Sequence, residues 1–303
     1  MMWRESTRSE IKQYYRTEFP SYLGGLPEHV TPDGPKEYAL AFRESYPTTN
    51  ENSRGRDFIR RETRRTNRDD EPIATVFEEW PDILEFIRNP ADADPLRDRD
   101  NGAPGLADPE AKDVERPVPA AVYYATDQWE RNWVLPVDID AKDVAYERAQ
   151  REGTPRDGES QEEFIKRVGI IDEAPEGFKY AFEDIEQALV YGFAVKDIFE
   201  DTLNAEQTQV VYSGQGCHVY LLDDDKEHRY DERAREVLIE FLEHDYELPI
   251  DSVVTADEAR VMRLPYSLHA DVSRVVTPIE SPDFDFRRAA IPETLSEPAS
   301  GQT

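Results

Sequence analysis

Apolar positions along the chain switch between helical and strand spacing several times. In "YAFEDIEQALVYGFAVKDIFEDTL", residues 180–203, Phe182, Ile185, Leu189, Phe193 and Ile198 fall on or near one face of a helix. The next stretch, "VYSGQGCHVYLL" (residues 211–222), is a β-type apolar run broken by Ser213, Gly214 and Gly216, with His218 just past the break. A helix, "DERAREVLIEFLEHDY", follows, and "LPIDSVVTADEARVMRLPYSLHADVSRVVTPI" predicts a return to short strands. Nearer the start, Ile11, Tyr14, Tyr15 and Phe19 mark an amphipathic helix ending at Pro20, and "TVFEEWPDILEFIRNP" predicts a helix closing at Pro90. "AAVYYATDQWERNWVLPVDID" reads as one strand through Tyr123 and Tyr124 and a second from Val134 to Ile139. Helices alternate with strands without any repeat, which predicts an α+β fold with mixed sheets flanked by helices.

The polar stretches set the boundaries. Residues 89–119 are rich in Pro, Asp and Gly and read as a solvated loop. Residues 141–176 are highly charged, helical or loose, and residues 281–303 read as a flexible C-terminal tail. That leaves residues 1–280 as the folded domain. The polar start predicts no signal peptide, and no apolar run reaches the length of a membrane span. A single cysteine, Cys217, excludes an internal disulfide and a cysteine-based zinc knuckle. A cytoplasmic protein with no membrane partner is the expectation.

Charge alters this picture. The 303 residues hold 66 acidic and 36 basic side chains, a net charge of −30, and only eight of the basic ones are lysine. An acidic chain ordinarily avoids nucleic acid, because phosphate contacts supply most of that affinity. An acidic, lysine-poor composition also fits a halophilic protein built for molar salt, where the Debye length is roughly 3 Å and repulsion from a polyanion is screened. The net charge therefore does not exclude a nucleic-acid partner. Seven arginines also cluster between Arg54 and Arg68 in "SRGRDFIRRETRRTNR". They read either as a helix paired with surrounding acids or as a track for a nucleic-acid backbone through Arg54, Arg56, Arg60, Arg61, Arg64 and Arg65.

Three stretches could carry chemistry. Asp138 and Asp140 end an apolar strand and, being two apart, point to one face. Two carboxylates so placed repel unless a cation lies between them, and hard ions such as Mg2+ or Mn2+ take oxygen ligands in that way. In a chain about one-fifth Asp plus Glu, such triplets also arise by chance. At "SGQGCH", Gly214 and Gly216 allow a sharp turn whose N–H groups can hold an anion, and Ser213 and His218 add donors. The same residues also fit a β-hairpin corner with a satisfied histidine. In "IDSVVTADEARVMRLPYSLH", Asp251 follows an apolar strand start, and Arg260, Arg263 and His269 could grip phosphate or pair with acidic neighbours.

The order "VDID", then "SGQGCHVY" about 75 residues later, then a lone Asp with "RLPYSLH", resembles the catalytic (small) subunit of the archaeo-eukaryotic DNA primases. "AVYYATDQWE" looks like that family's approach to its first motif, and "RGRDFIRRE" is similar to a more N-terminal arginine segment. The resemblance runs from Arg54 to Ile279. It implies a two-lobed catalytic core in which Asp138, Asp140 and Asp251 bind two Mg2+ or Mn2+ ions. It further implies that Ser213, Gly214, His218, Arg260, Arg263 and His269 hold the triphosphate of an incoming NTP or dNTP. The implied activity is template-directed primer synthesis on single-stranded DNA, a DNA-directed RNA polymerase or nucleotidyltransferase chemistry in DNA replication, with a large primase subunit or a helicase as further partners. Two metal ions about 3.5–4 Å apart activate the attacking hydroxyl and stabilise the leaving pyrophosphate in such enzymes.

Two features depart from that family. Gln215 stands where the glycine loop of cellular primases often carries an arginine and one residue more, and no zinc knuckle can form, so no zinc is expected. The charged 141–176 stretch occupies the place of such an insertion. These departures imply a divergent form from a salt-adapted archaeon or its mobile element. Two other functions fit the same residues: a primase-related polymerase for primer extension or gap repair, and a non-catalytic replisome subunit that keeps the fold.

Overall fold

In the computed structural model, the described residues are 6–30, 38–42, 59–62, 65–66, 72–73, 119–126, 134–170, 174–175, 178–223, 230–257, 260–269 and 271–295. The expected helix of residues 75–90 and nearly all of the expected 89–119 loop lie outside them. Among the described residues the fold is mixed α and β, with two four-stranded antiparallel sheets and a two-stranded ladder. The chain divides into two compact units. One draws on Thr126–Arg260 and Arg274–Ile291, the other on Ser6–Ala125, Val261–Ser273 and Pro292–Thr303.

In the unit that contains the N-terminal helix, α1 (Arg8–Gln13) opens with a reciprocal cap: Thr7 Oγ1 accepts from the Glu10 N–H, and the Glu10 carboxylate accepts from the Thr7 N–H. Helix α1 runs through a π-helical segment, Tyr14–Glu18, into α2 (Phe19–Tyr22). The expected stop at Pro20 is therefore corrected: Pro20 lies in the first turn of α2, directly after the π-helical segment, and the helix continues to Tyr22. The predicted face of Ile11, Tyr14, Tyr15 and Phe19 is buried as expected. The sheet of this unit has the order β2 (Ile59–Glu62), β1 (Tyr38–Phe42), β5 (Pro119–Ala125), β9 (Val261–Arg263). After β9 the chain turns at Pro265–Tyr266, and Val122 O accepts from the Leu264 N–H at 2.9 Å and from Ser267 Oγ at 3.0 Å. The short ladder pairs β3 (Arg65–Thr66) with β4 (Pro72–Ile73).

The other unit is built on a sheet of order β10 (Thr277–Ile279), β7 (Thr208–Tyr212), β8 (Gly216–Leu221), β6 (Leu135–Asp140). Helices α3 (Ala141–Glu152) and α4 (Gln161–Arg167) follow β6 and lie within the charged 141–176 stretch. Helix α5 (Phe182–Asp201) lies against β6, β7 and β8 with Ile185, Leu189 and Ile198 buried. It approaches so closely that a Cβ at Gly192 would meet Cys217 Sγ at 2.4 Å. Arg148 of α3 grips the buried Asp184 of α5 through two hydrogen bonds, at 3.0 and 2.8 Å.

Two further expectations change here. "SVVT", part of the stretch expected to return to short strands, forms α7 (Ser252–Ala256) after α6 (Glu232–Asp245), because Asp251 caps it by accepting from the Val254 N–H at 3.0 Å. Residues 281–295, expected to fray, carry α8 (Phe286–Ala289) and a turn of 3-10 helix, Glu293–Leu295, and bury Phe286, Ala290 and Leu295. Phe286 stacks on Tyr212, which gives this segment an apolar anchor.

Candidate metal centre

Strand β6 is buried along its length except at its last residue, so its alternation carries Asp138 and Asp140 on one face. The third carboxylate arrives from α7. The Asp251 N–H donates to the Asp138 carbonyl at 2.9 Å, and the Asp138 N–H donates to Thr255 Oγ1 at 3.3 Å. These bonds fasten the first turn of α7 to β6. As a result Asp138, Asp140 and Asp251 each offer a carboxylate oxygen, all within 4.8 Å of one another. Such a set of hard oxygen donors fits a divalent cation of the Mg2+ or Mn2+ kind.

The serine-glycine corner joins β7 to β8 beside this cluster. In the antiparallel register Asp138 faces His218 and Asp140 faces Gly216. His218 Nε2 lies 3.6 Å from Asp138 Oδ1, while Nδ1 shares a hydrogen bond with the Tyr220 hydroxyl at 3.1 Å. Only glycine fits at 216, since a Cβ there would meet the Ile139 carbonyl oxygen at 2.3 Å. Gly214 adopts φ 116°, a conformation open to glycine. Gln215 closes the corner on both sides: its carbonyl accepts from the Ala141 N–H at 3.0 Å and its Oε1 accepts from the Lys179 N–H at 2.9 Å. Ser213 is buried, and its Oγ has no hydrogen-bond partner among the described residues.

Sequence reading missed Lys142. It stands in the first turn of α3, with Nζ 3.0 Å from Asp251 Oδ2, 3.9 Å from Asp143 Oδ1 and 4.0 Å from Asp140 Oδ2. Burial disfavours its charge, but the carboxylates of Asp143, Asp251 and Asp140 outweigh that and hold the ammonium well above the ordinary lysine range. Asp143, also missed, is pushed up to about 7 by burial, with Asp140 and Asp251 adding to the rise and Lys142 opposing it. For Asp251 burial acts upward, yet the Val254 N–H, Lys142 and Arg260 bring its carboxyl below the usual range. The only signal in the sequence is "DIDAKD", in which a lone lysine sits between acids where the strand turns into a helix.

The remaining candidates are placed as follows. Arg260 reaches Asp257 at 3.8 Å, and its carbonyl accepts from the Thr126 N–H and hydroxyl. Arg263 and His269 belong to the other unit. There Arg263 lies 5.6 Å above the Tyr123 ring, and His269 Nδ1 accepts from the Asp271 N–H at 3.2 Å. Arg60 and Arg61 are in β2 and Arg65 begins β3, so the helical reading of the arginine cluster is corrected to strand at these positions. Arg54, Arg56 and Arg64 lie outside the described residues.

A stretch of 100 residues is 38% identical to an uncharacterized DNA primase small subunit-like protein of Archaeoglobus fulgidus. The chain thus resembles a primase-like protein. The match covers 31% of this chain and spans 34% of that protein's length. No family model matches the chain. Among the described residues no helix is long and apolar enough to cross a membrane.

Proposed function

We propose that this chain is a metal-dependent, template-directed nucleotidyltransferase that makes short primers for DNA replication. The observation that carries the reading is the meeting of Asp138, Asp140 and Asp251, from a strand and a distant helix cap, within 4.8 Å. The partial similarity to a primase small subunit-like protein supports the same reaction class. In this reading the three aspartates hold Mg2+ or Mn2+, which neutralises phosphate charge and lowers the pKa of an attacking 3′-hydroxyl. Ser213 Oγ and the main-chain N–H groups of the Gly214 corner donate to the triphosphate of an NTP or dNTP. His218 sets its Nε2 beside Asp138, with its Nδ1 anchored on the Tyr220 hydroxyl, and so keeps the phosphate-side role of the family resemblance through the carboxylate it orients. Arg260 offsets negative charge beside Asp251, and Arg263 and His269 keep the phosphate-binding roles that the family resemblance implies. Single-stranded DNA is the template, with Arg54–Arg65 as its backbone contacts, and a large subunit or helicase is the further partner. The fold is that of a two-lobed primase core. The working environment is a salt-rich cytoplasm of archaeal type.

The test is de novo synthesis on single-stranded DNA without a primer, at molar KCl, with all NTPs and dNTPs and with or without Mn2+. The wild type should yield oligomers only with the metal. The Asp138→Ala, Asp140→Ala double variant should lose roughly 10³-fold or more, the scale of metal-derived charge stabilisation, while keeping its circular dichroism spectrum. Wild-type synthesis by the double variant overturns the proposal, and extension of supplied primers alone moves the function to gap repair.

A further inference from the structure

Lys142 is unusual for its chemistry and its position. It is one of eight lysines in a chain otherwise reliant on arginine, and it follows Asp140 by two residues at the N-terminal end of a helix. Cations are ordinarily placed at helix C-termini, because the N-terminal end carries a partial positive charge. What outweighs that cost here is the company of carboxylates: Asp251 at 3.0 Å, Asp143 at 3.9 Å and Asp140 at 4.0 Å. Asp140, although the N-cap residue of α3, makes no side-chain capping bond, so its carboxylate is not committed to the helix. The ammonium therefore bonds to Asp251 at 3.0 Å and lies 4.0 Å from Asp140, two of the three carboxylates that could hold a metal ion.

We propose that Lys142 is a tethered counter-cation of the metal centre, which neutralises Asp251 and Asp140 when no divalent ion is bound and is displaced from Asp251 when one binds. This rests on the metal-binding reading above and adds a regulatory element to it. Four carboxylates converge on one corner of a chain that already carries −30, and without an internal cation they repel. A divalent ion ligated by the same oxygens brings like charge next to the ammonium, so the two compete. Metal affinity is accordingly set lower than the carboxylates alone would give. A lysine suits this task better than an arginine, since its point charge on a flexible stem leaves without breaking a bidentate fork.

The experiment is a Mn2+ titration of the metal-stripped full chain, read by electron paramagnetic resonance of free Mn2+ at fixed KCl, for wild type, Lys142→Met and the Asp138→Asn, Asp140→Asn pair. Loss of the competing ammonium should tighten Mn2+ binding by Lys142→Met about tenfold, the equivalent of one charge-assisted hydrogen bond. Metal-free Lys142→Met should also melt below wild type, and Mn2+ should raise its melting point by more. Equal or weaker binding by Lys142→Met, with binding lost in the aspartate pair, overturns the role of Lys142 and leaves the metal centre standing. Binding unchanged in the aspartate pair overturns both. A second readout uses wild type alone, in case Lys142→Met does not fold without metal. Lysine methylation read by mass spectrometry should find Lys142 protected in the metal-free protein and exposed once Mg2+ is added. Protection that is indifferent to Mg2+ also overturns the proposal.

Discussion

The main-chain N–H of Asp251 donates to the carbonyl of Asp138 at 2.9 Å, and the Asp251 side chain caps the helix that this bond positions. One residue thus docks α7 on β6, starts α7 and supplies a carboxylate to the cluster. The roles separate by substitution. Asp251→Asn keeps a capping oxygen and should keep most of the stability while losing Mn2+ affinity. Asp251→Ala loses the cap as well and should cost about 1 kcal/mol more in urea denaturation. Equal stability of the two variants would refute the capping role.

Asp143 gives the site a pH signature. Its carboxyl is pushed up to about 7 by burial, so the unfolded chain releases this proton at lower pH than the folded protein does. Stability of the metal-free protein should fall as pH rises from the ordinary carboxylate range to about 7, and then level off. Asp143→Asn removes that dependence: it should stabilise at pH 8 and change little at pH 4. Asp251 acts in the opposite sense. Its lowered carboxyl contributes stability above the ordinary carboxylate range, and the contribution is lost as the pH falls through its folded value. Lys142, held above its ordinary value, contributes throughout neutral pH and loses that contribution only above the usual lysine range. Melting temperatures in chelator check the three signs, read for Asp143→Asn from pH 4 to pH 9, for Asp251→Asn below about pH 4 and for Lys142→Met above about pH 10.

What could be read in the sequence was what depends on local spacing. The D-x-D pair is visible because strand alternation alone puts Asp138 and Asp140 on one face, and the α5 face because its apolar residues recur at helical spacing. Asp251 was singled out as a carboxylate, but its setting was misread. Three β-branched residues favoured a strand, and an Asp three residues ahead of Val254 is the capping signal that outweighs them. Lys142 could not be assigned a role, because its partner Asp251 becomes its neighbour only after α7 docks on β6. The order in residues 281–295 likewise depends on Phe286 meeting Tyr212, a contact that composition does not reveal.

The tightness of the β6–β8 pairing makes Gly216 a sensitive position. A methyl group there would press on the Ile139 carbonyl oxygen at 2.3 Å and on Asp140 Cα at 3.0 Å, backbone atoms that cannot rotate away. Gly216→Ala should cost on the order of 1–3 kcal/mol and move Asp140 away from Asp138, weakening Mn2+ binding in parallel. A fully stable variant with unchanged Mn2+ affinity would show that the strands pair more loosely than this geometry requires.

Ser213 distinguishes a nucleotide-binding corner from a merely structural hairpin. Its buried hydroxyl has no hydrogen-bond partner among the described residues, and a buried unsatisfied polar group costs roughly 1–3 kcal/mol. Ser213→Ala should therefore leave the nucleotide-free protein as stable as wild type, or more so. If the hydroxyl donates to a triphosphate, the same variant should lose most of the thermal shift that nucleotide and Mn2+ together produce in the wild type. The two effects have opposite sign, which a general loss of folding cannot imitate. A scaffold that keeps the fold without the chemistry would show no nucleotide-dependent shift in either protein. An undiminished shift in Ser213→Ala would place the triphosphate away from this corner.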